Sequence, residues 1–269
     1  MEHESWAPPE VDVERANVAR IYDALLGGSH NFAVDRDAAS ALTAINPSSR
    51  EAARANRQFL GRAVRFLVKS GIRQFLDIGS GVPTSGNVHE IAQSAAPDAH
   101  VVYVDTDPVA IAHSKSILAG NEGATIIQAD LREPDVILSH PEVERLIDFD
   151  RPVALLLVAV LHFITEEERP GDLVKRLADA LAPGSYLVIS HATLDGHDPQ
   201  VGEAIEKLYS RTSAPGRARD HAGVKAFFDG FEILDPGLVY LPQWRPEEGD
   251  LKFERPEQAW GYGAVGLKT

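Results

Sequence analysis

Cysteine is absent from all 269 residues. That excludes a disulfide scaffold, cysteine nucleophiles and thiolate metal sites together, and it fits a cytoplasmic location. Long apolar runs are also missing. The longest, residues 153–161, has the length of a strand and falls well short of the roughly 20 residues of a membrane span. The N-terminus, Met1-Glu-His-Glu-Ser-Trp6, is acidic and polar, without the basic and then apolar pattern of a signal peptide. Basic residues are scarce, 26 Lys and Arg against 40 Asp and Glu, for a net charge of −14. Sequence-independent nucleic-acid binding needs cations to neutralise phosphates, so no nucleic-acid partner and no membrane partner is expected. The 44% hydrophobic content is enough for one large core.

Three regions follow one another. Up to about Gly71 the pattern is helical. Val18, Ile21, Leu25 and Leu26 recur at helical spacing before Gly27-Gly28, a second helix starts near Val34, and a third covers 49–68 with Phe59, Ala63, Phe66 and Leu67 on one face. The middle alternates apolar, β-rich runs (74–78, 100–104, 125–129, 153–160, 186–190) with helical stretches (86–95, 108–118, 166–181). Such alternation, with strands apolar on both faces, implies a parallel sheet covered by helices on both sides. In the last region, runs at 231–234, 238–241 and 259–267 read as edge strands, antiparallel to the rest. The polar, proline-bearing loop 241–256 reads as a surface lid. Residues 1–71 are therefore expected to form a helical cap within the same domain as a ligand-binding sheet at 72–269.

The first strand, Phe75-Leu-Asp77-Ile, runs into Gly79-Ser80-Gly81-Val-Pro-Thr-Ser-Gly86, at the strand end where open α/β sheets bind ligands. A phosphate-binding loop of the Gly-x4-Gly-Lys-Ser/Thr type fails because Asn87-Val88 replaces Lys-Ser/Thr. A dinucleotide fingerprint fails at Thr84, where the third glycine belongs. A loop for S-adenosylmethionine, with an acid on the strand (Asp77) and no pyrophosphate to seat, fits. The second strand ends in Asp105-Thr106-Asp107-Pro108. Asp105 is suited to accept both ribose hydroxyls, and Asp107 to cap the helix that Pro108 begins. The third ends in Asp130-Leu131, an acid for an exocyclic amine and a backbone N–H for a ring nitrogen.

These residues carry a resemblance. Phe-Leu-Asp-Ile-Gly-Ser-Gly81, Val-Tyr-Val-Asp105-Thr-Asp-Pro and Ile-Gln-Ala-Asp130-Leu are similar to the first three motifs of class I S-adenosylmethionine-dependent methyltransferases. The stretch Ala19-Arg-Ile-Tyr-Asp-Ala-Leu-Leu-Gly-Gly-Ser-His-Asn-Phe-Ala-Val-Asp-Arg36, together with residues 79–87, resembles a mainly actinobacterial group. That group was formerly a domain of unknown function and was later called the S-adenosyl methyltransferase family. The resemblance spans about residues 11–268. It implies a Rossmann-like α/β fold with a seven-stranded, mostly parallel sheet whose last strand is antiparallel, and cofactor binding by the glycine loop, Asp105 and Asp130. It names no acceptor.

Methyl transfer requires donor and acceptor to be aligned away from water, and an oxygen or nitrogen acceptor can also need a base. His162, past the fourth strand, and His191, at the end of the fifth, stand where a base belongs; a packed, hydrogen-bonded histidine is the alternative for each. Neither has a partner at metal-ligand spacing, so no metal is expected. Asn31 and Phe32, with Asp35 and Arg36, are candidates for a cap closing over the cofactor, while Tyr22 reads as packing. Trp244-Arg245-Pro246 and Phe227-Phe228 could line an acceptor pocket, the phenylalanines reading more simply as core. The expected activity is methyl transfer to a small-molecule acceptor, with a homodimer left open. The alternatives are a non-catalytic S-adenosylmethionine-binding sensor and a nicotinamide oxidoreductase.

Overall fold

The computed structural model describes residues 11–83 and 86–269. The acidic N-terminus and Thr84, used above, lie outside the described residues. Five parallel strands form the centre: β1 (Gln74–Ile78), β2 (His100–Asp105), β3 (Ala124–Gln128), β4 (Ala154–Val158) and β5 (Tyr186–Ala192). Three more follow, β6 (Phe231–Ile233), β7 (Val239–Tyr240) and β8 (Gly261–Lys268). The sheet order is β3-β2-β1-β4-β5-β8-β6, with two-residue β7 also pairing β8. Counting β7 gives eight strands, one more than the seven expected.

The expectation of a C-terminal edge strand is met by β6 but not by β8. Strand β8 is antiparallel and lies inside the sheet, between β5 and β6. Its glycines make room for what covers it. A Cβ on Gly263 would lie 2.8 Å from the Phe59 ring, and one on Gly266 would lie 2.9 Å from Phe228.

The helices are α1 (Val18–Leu26), α2 (Ala33–Ile45), α3 (Ser49–Lys69), α4 (Val88–Ala95), α5 (Pro108–Ile117), α6 (Pro134–Leu138), α7 (Pro141–Leu146), α8 (Pro170–Asp179), α9 (Pro199–Tyr209) and α10 (His221–Lys225). Helices α3, α4 and α5 cover one face of the sheet through Phe59, Ala63, Leu67, Ala92 and Ile111. Helices α6, α7, α8 and α10 cover the other through Ile137, Val143, Val174, Leu177 and Val224. Strand residues alternate between the two cores: Phe75 faces the first, Leu76 and Ile78 the second. Helices α1 and α2 pack on α3 and α9 around Ile21, Leu25, Leu42 and Ala53, with Ile205 and Leu208 against them. Among the described residues, no helix is long and apolar enough to cross a membrane.

Two boundaries shift for backbone reasons. Strand β4 stops at Val158 because Ala159 turns left-handed at φ 57°. The helix expected from 166 is a 3-10 turn, Glu166–Glu168, separated from α8 by left-handed Arg169 before Pro170.

The loop 241–256 is not a lid. Arg62, on α3 and 2% exposed, donates to the carbonyls of Trp244 (2.8 Å) and Leu241 (2.7 Å) and pairs with Asp250 at 2.6 Å. Trp244 is fully buried edge-on against Phe59 and Phe66, so it fills core and does not line an acceptor pocket. Phe227 and Phe228 are core, as the simpler reading had it. Removing the cation from such a buried arrangement leaves acceptors and a charge unpaired. Arg62→Ala is therefore expected to cost about 3–5 kcal/mol in unfolding free energy, read from chemical denaturation.

Candidate active site

Parallel strands release their chains at one edge of the sheet, and there β1, β2, β3, β4 and β5 border a cavity of about 430 Å³. That lies within the range of roughly 300–1,000 Å³ usual for small-molecule sites. At the strand spacing of about 4.8 Å, the row β3-β2-β1-β4-β5 extends on the order of 19 Å. Along it stand Asp130, Asp105, Asp77, His162 and His191, all lining the cavity.

The loop after β1 folds back on β2, with Gly79 and Ser80 N–H donating to the Val104 carbonyl at 2.8 and 3.2 Å. Gly79 adopts φ 76°, and a Cβ there would lie 2.4 Å from Val160 Cγ2, so glycine is required twice over. Gly81, at φ 70°, donates its N–H to Asp105 Oδ2 at 2.7 Å. Asp105 Oδ1 accepts from the N–H groups of Thr106 (2.8 Å) and Asp107 (2.9 Å). Asp105 thus has a structural duty that the sequence reading missed, as the clamp between the glycine loop and the start of α5. Burial pushes its carboxyl up, opposed by these three N–H donors. Asp107 caps α5 through Val109 N–H at 3.0 Å, as expected.

The three acids differ in their surroundings. Asp77 is buried on β1, and burial raises its carboxyl to about 7, against the pull of Arg57 and with a push from Asp105. Asp130 is a third exposed and engaged by Arg132, both through the N–H (2.9 Å) and the guanidinium (3.2 Å). Arg132 also bonds Glu168 and the Phe163 carbonyl, which ties the end of β3 to the turn after β4. Leu131 is buried, Thr106 is exposed at the rim, and both line the cavity. Ser80 Oγ is buried without a hydrogen-bond partner.

The histidines have unequal freedom. His191 Nδ1 lies 2.8 Å from the Ala192 carbonyl and therefore carries the proton; Nε2 lies 2.8 Å from Arg219 Nη1 and therefore accepts. Its lone pair is occupied, which matches the alternative of a packed, hydrogen-bonded histidine and leaves no free nitrogen for a base. His162, in a 3-10 turn (Leu161–Phe163), leaves Nδ1 buried and unpartnered. Burial and the nearby Arg219 push its pKa down to about 3, so the ring is neutral and a poor base at ordinary pH. Arg219 holds this corner together through the carbonyls of Leu161 (3.1 Å) and Ile164 (3.0 Å).

Asn31 and Phe32 lie outside the cavity lining. The Asn31 amide donates to Asp23 Oδ2 at 2.7 Å, and Phe32 packs on Val82, Val109 and Ala110. Both brace the cap. The cap residues in the lining include Asn17, Val18, Ala19, Tyr22, Leu25 and Leu42. Tyr22, expected only to pack, stands in a buried chain: Ser190 Oγ donates to Asn56 Oδ1 (2.6 Å), Asn56 Nδ2 to Tyr22 Oη (2.9 Å), and Tyr22 Oη to the Ala53 carbonyl (3.0 Å). The opposite wall, Gly202, Ile205, Glu206 and Tyr209 of α9 with Ala214 and Arg217, was missed altogether. Its signal was present: Asp198-Pro199 is a cap followed by proline at the first helical position, and Val201, Ile205 and Leu208 recur at helical spacing.

A Rossmann-like sheet with an acid-lined glycine loop opening on one cavity places the protein in the class of S-adenosylmethionine-dependent methyltransferases. The chain belongs to the S-adenosyl methyltransferase family, whose sequence profile matches residues 4–269. It is 41% identical to a candidate methyltransferase of Thermobifida fusca YX, with a TM-score of 0.92 and coverage of 98% of this chain and 99% of that one. A DUF574 family protein from Streptomyces avermitilis MA-4680 is 40% identical, with a TM-score of 0.92 and coverage of 96% and 99%. The N-methyltransferase NodS of Bradyrhizobium japonicum, in complex with S-adenosyl-L-homocysteine, shares the fold at 14% identity, with a TM-score of 0.51 and coverage of 93% and 98%. No curated protein matches the sequence significantly. The enzyme is a methyltransferase using S-adenosylmethionine, and nothing in the comparisons favours a non-catalytic sensor.

The histidine pair gives a direct check. In ¹⁵N-edited NMR spectra, His162 should stay neutral from about pH 8 down to about pH 5, and His191 should titrate well below the ordinary histidine range, because burial lowers both pKa values. His191 should show protonation on Nδ1. An Nε2–H tautomer, or titration of His162 near the usual value of about 6.5, would contradict the assignment.

Proposed function

We propose that the enzyme methylates a small, largely apolar molecule, held at the α1–α9 end of the cavity while the cofactor lies across the ends of β1, β2 and β3. The observation carrying this reading is the continuity of one cavity. Its sheet side bears Asp77, Gly79, Ser80, Gly81, Asp105, Thr106, Asp130 and Leu131, and its cap side bears Val18, Tyr22, Leu25, Leu42, Ile205, Tyr209 and Phe163. The cofactor supplies, when bound, a methyl group already activated by the positive charge on its sulfur.

The polar groups fit it. Asp105, held by three N–H donors, keeps further lone pairs for the ribose hydroxyls. Asp130 and Leu131 stand one strand further out, toward the adenine. Asp77, a buried carboxyl with a raised pKa, is suited to the ammonium of the methionyl part, because a cation there restores the charge that burial disfavours. The orphaned Ser80 Oγ gains a partner from a ligand in the loop.

On the acceptor side this chain aligns and excludes water. Neither histidine takes a proton: His191 is tied to Arg219, and His162 is held neutral. Unpartnered His162 Nδ1 instead offers the acceptor one hydrogen bond and fixes its orientation. Such a wall suits a nucleophile that already presents its lone pair, an acidic oxygen or an unprotonated amine, and needs no strong base.

The cofactor assignment predicts a pH dependence. Asp77 must be ionised to hold an ammonium, and its pKa of about 7 makes that form scarce as pH falls. Affinity for S-adenosylmethionine should drop roughly tenfold from about pH 7.5 to about pH 6, and Asp77→Asn should flatten the profile, both read by calorimetry. A flat wild-type profile removes Asp77 from that role. For the acceptor, methyl-labelled cofactor incubated with cell extract should leave label in the small-molecule fraction. Label in protein or nucleic acid instead would overturn the acceptor class.

A further inference from the structure

The sheet residues discussed so far supply no cation for the carboxylate of the cofactor's methionyl part, yet that part is a zwitterion. Three arginines line the cavity. Arg132 serves Asp130 and Glu168 beside β3. Arg217 pairs with Glu206 on α9 at 3.1 Å, at the cap end. Arg57 is placed differently: it comes from α3, outside the strand–loop–helix units, and lines the β1 end beside Asp77 and Ser80. Its Nη2 donates to the Gly86 carbonyl at 2.9 Å, so the far end of the glycine loop sets its position. Its charge bears on Asp77, Tyr22 and Tyr103, which places it at the junction of cap, β1 and β2.

We propose that Arg57 binds the carboxylate of the cofactor's methionyl part while Asp77 binds its ammonium, so that a helix of the N-terminal region supplies half of the cofactor's amino-acid site. This rests on the cofactor reading above. A guanidinium carries five N–H donors in a planar fork, so bonding the Gly86 carbonyl and a carboxylate together is within its capacity. Opposite charges side by side match a zwitterion and discriminate against adenosine derivatives that lack one or both charges. The arrangement also couples occupancy to the loop, because the residue reading the carboxylate is the one bonded at Gly86.

The test separates ligand recognition from a merely structural staple. Three ligands are titrated by calorimetry into the full chain: S-adenosylhomocysteine, S-adenosyl-3-thiopropylamine, which lacks the carboxylate, and 5′-methylthioadenosine, which lacks both charges. Arg57→Met should weaken S-adenosylhomocysteine by about tenfold or more, as expected for losing a charge-assisted bond. It should leave the other two within about twofold, and Arg57→Lys should restore part of the loss. Equal weakening of all three ligands would reduce Arg57 to a staple of the loop, and unchanged S-adenosylhomocysteine affinity would remove it from the site; either overturns the proposal. Unchanged 5′-methylthioadenosine binding certifies that each variant is folded. If the wild-type chain binds none of the three, the cofactor reading itself fails, a result distinct from any failure of Arg57 alone.

Discussion

Three backbone N–H groups converge on the carboxylate of Asp105, and the active site is arranged around that convergence. One comes from Gly81 across the crevice, and two come from the residues that lead into α5. A chain leaving β1 and a chain leaving β2 have no sheet partners beyond their last paired residues, and buried N–H groups left unpaired there would be costly. Asp105 satisfies both chains at once. The loop can stay close enough for this only because Gly79 has no side chain where Val160 stands, which also ties the position of the loop to the end of β4. Strand β4 in turn ends in left-handed Ala159 and delivers His162 to the cavity.

Burial then divides similar residues into different roles. Asp77, Asp105 and Asp130 stand at or just past the ends of three neighbouring strands, but the first is buried beside a cation, the second accepts from three N–H groups and the third is engaged by Arg132. A further acid, Asp35, is fully buried in the cap, where it accepts from Asn17 and Phe32 N–H and pairs with Arg20 at 3.1 Å. That cluster fixes the entrances to α1 and α2. The same principle separates the histidines: the His191 ring has both nitrogens engaged, while His162, which lines the cavity, keeps a buried Nδ1 without a partner.

The cap and α9 change what the sheet can do. A Rossmann-like sheet alone leaves its strand ends open to water, where charge–charge interactions are weak. Helix α1 on one side and α9 on the other wall off the crevice, and the Ser190–Asn56–Tyr22–Ala53 chain joins β5, α3 and α1 by neutral hydrogen bonds with a fixed direction. One cavity therefore runs from the strand ends to the wall of α1 and α9, where Val18, Leu25 and Ile205 stand with Glu206 and Arg217.

Local chemistry made much of this legible in the sequence. Continuous apolar, β-rich runs located the five parallel strands and period-3.6 patterns the first three helices, and the glycine spacing with the acids at 77, 105 and 130 identified the cofactor, because backbone approach and charge leave a signature within a few residues. What required the tertiary structure involved partners distant in the chain. The loop 241–256 reads as a lid from its own residues, whereas Arg62, nearly two hundred residues earlier, binds it down. Strand β8 read as an edge because pairing on both of its sides is not written in its own residues. Asn31 and Phe32 were given to the cavity when Asp23 and Val109 hold them elsewhere, and α9, though capped by Asp198-Pro199, was passed over because nothing local shows that it faces a site. The pairing of the His191 lone pair was hidden for the same reason: its partner, Arg219, lies 28 residues away. Sequence alone determined the strand ends and the ligand they suit; tertiary structure decided which polar groups remained unspent to meet that ligand, since hydrogen-bond partners are allotted in space and not along the chain.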